Sequence, residues 1–109
     1  MASAAFWQRG ESLDYKNTGL TTIEANTIVA YGSRIGVIGC EIAPGEVGSL
    51  HVTGVFNMPK TGASAIAAGD EVYWDGNGIT DVSSSNTKAG FAAQAAGASD
   101  TEILVSINA

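Results

Sequence analysis

The chain has one cysteine, Cys40, so no disulfide can close within it. Histidine is equally scarce: His51 stands alone, and a His-based metal site needs further His or Cys ligands that the sequence does not supply. Only five residues are basic, Arg9, Lys16, Arg34, Lys60 and Lys88, against eleven acidic ones, for a formal net charge of −6. They are scattered, whereas a phosphate-binding surface needs clustered Lys and Arg, so no nucleic-acid partner is expected. No apolar run approaches the ~20 residues of a membrane span, so no membrane partner is expected either. The opening MASAAFWQRG lacks the basic start and apolar stretch of a secretory signal. With so little cysteine, this suits synthesis in a cytosol. Leucine is rare, at Leu13, Leu20, Leu50 and Leu104 only, and charged residues make up 15% of the chain against the usual ~25%.

What is present points to strands. Ile and Val are frequent, and β-branched residues favour a pleated, half-buried backbone. The stretch Gly45 to Lys60, GEVGSLHVTGVFNMPK, alternates with period two. Glu46, Gly48, Leu50, Val52, Gly54, Phe56 and Met58 share one, mostly apolar or glycine face, and Val47, Ser49, His51, Thr53, Val55 and Asn57 the other, mostly polar one. It predicts one long strand, entered through the Pro44-Gly45 turn and stopped by Pro59, which has no N–H to donate. Gly54 within it predicts a bulge, a bend or a close backbone approach.

Further strands are expected over Ser12 to Asn17, Thr27 to Tyr31, Arg34 to Ile42, Asp70 to Asp75, Ile79 to Val82 and Thr101 to Asn108. Arg34 to Ile42 is apolar on both faces and so central. Asp75-Gly76-Asn77-Gly78 is a strong hairpin signal, because such turns need positive φ. Alanine-rich Thr61 to Ala68 suits a short helical turn. Lys88 to Ala96 is ambiguous, alanine favouring helix and Gly90 favouring strand. No internal repeat is visible. One domain of 109 residues is expected, all-β, a small barrel or sandwich with at most one short helix. Residues 1–9 form an N-terminal arm and 10–109 the barrel-like domain. Fourteen glycines and many alanines leave a thin core, which gains from oligomerisation.

The chemistry is mostly excluded. No G-x-x-x-x-G-K-[ST] loop occurs, and Gly32, Gly36 and Gly39 have the wrong spacing for one. Cys40, in an apolar strand with no nearby base, reads as a small core residue. His51 reads as a solvent-facing or interface residue. Asp70, Glu71, Asp75 and Asp81 lack the spacing of a calcium loop and read as turn solvation. Phe6 and Trp7 precede every periodic segment; they either plug one end of the core or form an arm that docks on a partner.

Phe6-Trp7-Gln8-Arg9-Gly10-Glu11, Gly45-Glu46-Val47, Gly54-Val55-Phe56-Asn57-Met58-Pro59-Lys60 and Gly69-Asp70-Glu71-Val72-Tyr73-Trp74-Asp75 occur here in order. This succession resembles a family of small tailed-phage proteins whose recurring words are close to GVFxLPK and aGDxVYWD. Members were formerly labelled RecA/RadA-like recombinases and are now read as capsid cement, or head decoration, proteins. Met58 stands where the family often has Leu, and Met1 to Ala5 lie outside the pattern. The resemblance implies a β-barrel-like fold, homotrimers or related oligomers, and attachment to the major capsid protein on the outer surface of a virion made in a bacterial cytoplasm. It implies no catalysis and no cofactor. Candidate interface residues are then the aromatic anchors Phe6, Trp7, Tyr73 and Trp74, with Pro59 and Lys60. One of the two tryptophans, with Val72, Phe56 and Met58, is expected in the core. Two other readings are a glycan-binding β-sandwich using an exposed Trp7 or Trp74, and the recombinase, which lacks a phosphate loop, a basic patch and sufficient length.

Overall fold

The computed structural model describes residues 2–109. Among them are nine strands and no helix: β1 (Ser12–Lys16), β2 (Ile28–Tyr31), β3 (Arg34–Ile38), β4 (Val47–His51), β5 (Val55–Pro59), β6 (Glu71–Trp74), β7 (Ile79–Thr80), β8 (Thr87–Ala92) and β9 (Glu102–Ile107). They form two antiparallel sheets, β1-β4-β3-β2 and β5-β9-β8-β6-β7. The all-β expectation holds, but neither sheet closes into a barrel. The first does curl, since Tyr15 on one edge strand and Tyr31 on the other bring their rings to 6.5 Å. The radius of gyration, 15.2 Å, exceeds the roughly 13 Å expected of a compact chain this long. Extents of 42 × 42 × 23 Å describe a flat body in which little can be buried deeply.

The expected long strand is two strands in different sheets. Gly54, at φ +122°, turns the chain out of β4's sheet and into β5. Its carbonyl accepts the Ile107 N–H at 3.0 Å, which ties the crossing point to β9. Pro59 ends β5, an edge strand, as its missing donor requires. The ambiguous segment around Gly90 is β8. Gly90, at φ +142°, lies where the β6–β8 register shifts between Val72 and Tyr73, and a Cβ there would run into the Ser106 carbonyl. The alanine-rich 61–68 segment is extended: Ile66 bridges Ala96 instead of starting a helical turn.

A repeat unseen in the sequence organises the connections. Five times an aliphatic residue (Ile23, Ile42, Ile66, Val82, Ala96) is followed by a four-residue turn and then a strand. Each turn closes by an i→i+3 bond: Thr27 N–H to Glu24 O, Glu46 to Ala43, Asp70 to Ala67, Asn86 to Ser83 and Asp100 to Gly97. In the first four the third residue has positive φ, namely Asn26, Gly45, Gly69 and Ser85, as a type II turn demands. In the last, Asp100 Oδ2 accepts the Gly97 N–H at 2.7 Å instead. The repeat is one of backbone shape. IAPG and IAAG share three letters, but IEAN, VSSS and AGAS differ from them and from one another at two or more of the four positions.

The larger core cluster, around Met58, Val72, Ile79, Ile103, Val105 and Ile107, also takes Ile35 and Val37 from β3. The smaller one holds Ile38, Ile42 and Leu50. β3 is therefore buried on both faces, as its sequence suggests, and joins the two halves. Cys40 corrects its expectation: β3 ends at Ile38, so Cys40 falls beyond the strand and is exposed, its Sγ 4.0 Å from Ser49 Oγ. His51 is half-buried on β4, its ring 6.0 Å from that of Phe56.

Candidate functional site

The segment before β1 has no regular structure, and among the described residues no backbone–backbone hydrogen bond ties residues 2–10 to the sheets. The Gln8 side chain donates to the Ser12 carbonyl at 3.5 Å, the one side-chain hydrogen bond of this arm among the described residues. Phe6 is 85% exposed and Trp7 90%. Of the two readings of these rings, the core plug is therefore not the arrangement adopted. The other candidate residues divide. Pro59 is exposed at the end of β5. Lys60, offered as an interface residue, is 7% exposed, and its ammonium donates to the carbonyls of Gly62 at 2.7 Å and Ala98 at 3.5 Å. It staples two loops of its own chain. Trp74 packs against the larger core cluster, so it is the tryptophan of the core, and Val72 and Met58 lie in that cluster, with Phe56 against its side.

Tyr73 faces outward from β6. Its hydroxyl donates to Glu71 at 3.2 Å, and Glu71 pairs with Lys88 at 3.1 Å across the β6–β8 ladder. The hydrogen bond and charge of Lys88, helped by Tyr73, hold the Glu71 carboxyl below its ordinary range. Desolvation and the neighbouring Glu71 raise the Tyr73 phenol. Lys60 bridges Ile79 of β7, and Ile79 pairs with Trp74 of β6, so Pro59-Lys60 and Tyr73-Trp74 lie on either side of β7. The sequence reading also missed exposed apolar side chains, Leu20 at 96%, Val55 at 58% and Val82 at 54%. The period-two count did carry a signal for Val55, which falls on the polar face of its stretch.

The Asp75 turn is built as its sequence predicts. Asp75 N–H donates to Gly78 O at 3.0 Å, closing the β6–β7 hairpin, and Gly76 has φ +98°. Asp75 Oδ1 accepts the N–H groups of Asn77 and Gly78, both at 2.8 Å, while Oδ2 accepts the Thr61 hydroxyl at 2.6 Å. The Thr61 bond, then that of the Asn77 N–H, holds the Asp75 carboxyl below its ordinary range. A cleft of about 400 Å³ between the sheets is lined by Ser33, Arg34, Lys88, Asn108 and Ala109. Its lining holds no His, Asp or Glu that could serve Ser33 as a base. Among the described residues no group of three or more His, Cys, Asp and Glu side chains is placed to hold a metal ion.

A family model described as phage cement protein matches residues 7–107. The chain belongs to that family. The match begins at Trp7, so one ring of the exposed pair lies inside the family pattern and Phe6 just before it. No curated protein and no solved structure matches the chain. A phage cement protein is a structural component associated with the phage capsid, and the two-sheet fold with its exposed arm is the form that component takes here.

Proposed function

We propose that this cement protein binds the outer surface of the phage head, on the major capsid protein, and stabilises the assembled shell without catalysing any reaction. The observation that carries the reading is the pair Phe6 and Trp7, exposed on an arm with almost no bonds to its own body. A monomeric soluble protein gains nothing by holding two large rings in water, whereas aromatic anchors dominate the energetics of interfaces.

The magnitudes bear on assembly state. Burying two rings removes about 400 Å² from water, worth about 10 kcal/mol at ~25 cal/mol per Å². Ordering eight residues costs about 8–16 kcal/mol at ~1–2 kcal/mol each. One arm alone nearly breaks even, so several arms acting together in a homotrimer or another cyclic oligomer suit this binding mode through effective concentration. The thin core and low charge content favour subunit contact as well. Synthesis would take place in the host cytoplasm, before attachment.

The test is the virion itself. Mass spectrometry of purified particles should find the protein at many copies per head, and heads stripped of it should open at a lower temperature than heads resupplied with it. Its absence from purified virions would end this reading. Trp7 is the exposed tryptophan, so it is also the residue a glycan-binding function would use. Reproducible glycan binding lost in Trp7→Ala would favour that function instead.

A further inference from the structure

We infer that Asn77 is a latent self-modification site, a deamidating asparagine, and that the Asp75 carboxylate holds it shut in the folded protein. Of the six asparagines, Asn77 alone is followed by glycine. It is exposed at the tip of the β6–β7 hairpin. In an Asn-Gly pair no side chain obstructs the following nitrogen, so that nitrogen can attack the side-chain amide. The Gly78 nitrogen would bond to Asn77 Cγ, the Cγ–Nδ2 bond would break, and the amide nitrogen would leave as ammonia, taking up the proton that Gly78 gives up. Water then adds to either carbonyl of the cyclic imide and leaves aspartate or isoaspartate. Either product adds a negative charge to a chain already at −6, and isoaspartate also adds a methylene to the backbone of a tight turn.

The folded turn opposes the first step in three ways. The attacking N–H is engaged, donating to Asp75 Oδ1 at 2.8 Å, and the same oxygen fixes the Asn77 N–H at 2.8 Å. The Gly78 carbonyl is engaged too, by the Asp75 N–H at 3.0 Å. Gly78 itself is buried against Pro59 and Thr61, with the Pro59 carbonyl 2.9 Å from the place a Cβ would take, so its peptide plane has no room to swing toward Asn77 Cγ. Asp75 is in turn anchored from its other oxygen by Thr61. Pro59, Thr61 and the Asp75 carboxylate thus keep the nucleophile aimed away from the carbon it would attack.

The full-length protein is incubated warm at neutral pH, folded and in urea, and peptide mapping follows the mass gain of amide-to-carboxyl conversion at Asn77. Folded wild type should convert at least roughly tenfold more slowly than the urea sample, the factor that a hydrogen bond to a charged group supports. Folded Asp75→Ala should close most of that gap, while Asn57 and Asn86 stay unchanged and report against general unfolding. Hydrogen exchange on wild type provides a second measurement that needs no variant. The Gly78 amide should exchange more slowly than that of Gly76, which donates to no protein group among the described residues. Folded wild type converting at the urea rate, a folded Asp75→Ala as slow as wild type, or a Gly78 amide as fast as that of Gly76 would each overturn the inference. If Asp75→Ala does not fold, the Gly78 exchange rate decides.

Discussion

The side chain of Asn108 pairs with the backbone of Ile35 as a neighbouring strand would. Its Nδ2 donates to Ile35 O at 2.8 Å and its Oδ1 accepts the Ile35 N–H at 3.4 Å. The same Nδ2 donates to Val52 O at 2.8 Å, and the Asn108 backbone N–H donates to Ala89 O at 2.7 Å. One residue therefore links β3, the crossing between β4 and β5, and β8, which is where the two sheets meet. Its φ of +58° is a conformation asparagine tolerates better than most residues.

Asn108→Ala should lower stability by about 2 kcal/mol, because partly buried backbone groups of Ile35 and Val52 lose their partners. Asn108→Asp should not restore it, since the missing group is the donor. Urea unfolding checks both. A change below a few tenths of a kcal/mol would mean the junction does not depend on this side chain.

Gly90→Ala should cost about 3 kcal/mol or more, because the backbone is at φ +142° and a methyl group would collide with the Ser106 carbonyl and press on the Asn108 backbone nitrogen. Gly10→Ala is the matched control. Its φ is +81° but nothing lies within 4 Å of the added carbon, so it should cost only about 1–2 kcal/mol, the conformational part. Thermal melts of the pair separate strain from collision.

Asp75 sets an acid dependence. Its folded carboxyl titrates below the ordinary value that the unfolded chain shows, so its contribution is present in full above the ordinary range. That contribution is lost as pH falls from there toward the folded value. Melting temperature should therefore drop across this window in wild type and drop less steeply in Asp75→Asn, which starts lower at neutral pH. Glu71 is shifted the same way by Lys88, but it is common to both proteins and cancels in the comparison. Equal slopes would remove Asp75 as a contributor.

Strand positions were legible because Ile, Val and Tyr alternate with polar residues wherever one face is buried, and the Asp75 hairpin because its residues permit positive φ. The single long strand was misread for a physical reason. Leu50 and Met58 keep the same parity across Gly54, so period two cannot separate one strand from two that turn at a glycine. The helical expectation for residues 61–68 failed because alanine's propensity is weak beside the Ile66–Ala96 bridge. Cys40 belongs to the apolar run of Arg34 to Ile42 but lies two residues past the end of β3, a boundary the run does not mark. The five turns are not legible because all of them share only a backbone i→i+3 bond, and the positive φ of four of them, at Asn26, Gly45, Gly69 and Ser85, is reached with three different residue types. Of the site, the aromatic arm was legible as two alternatives, and its exposure distinguishes them. Lys60 was not, since its burial depends on the Ala98 loop, 38 residues away in the chain.

The central claim is that the arm carries the capsid contact, and deletion of residues 2–9 tests it most directly. The truncated protein should keep the melting temperature of the full chain, because the arm adds no backbone bonds to the sheets. It should no longer sediment with capsids. A stable truncation that binds capsids as the full chain does would contradict the account and place the contact elsewhere on the two sheets.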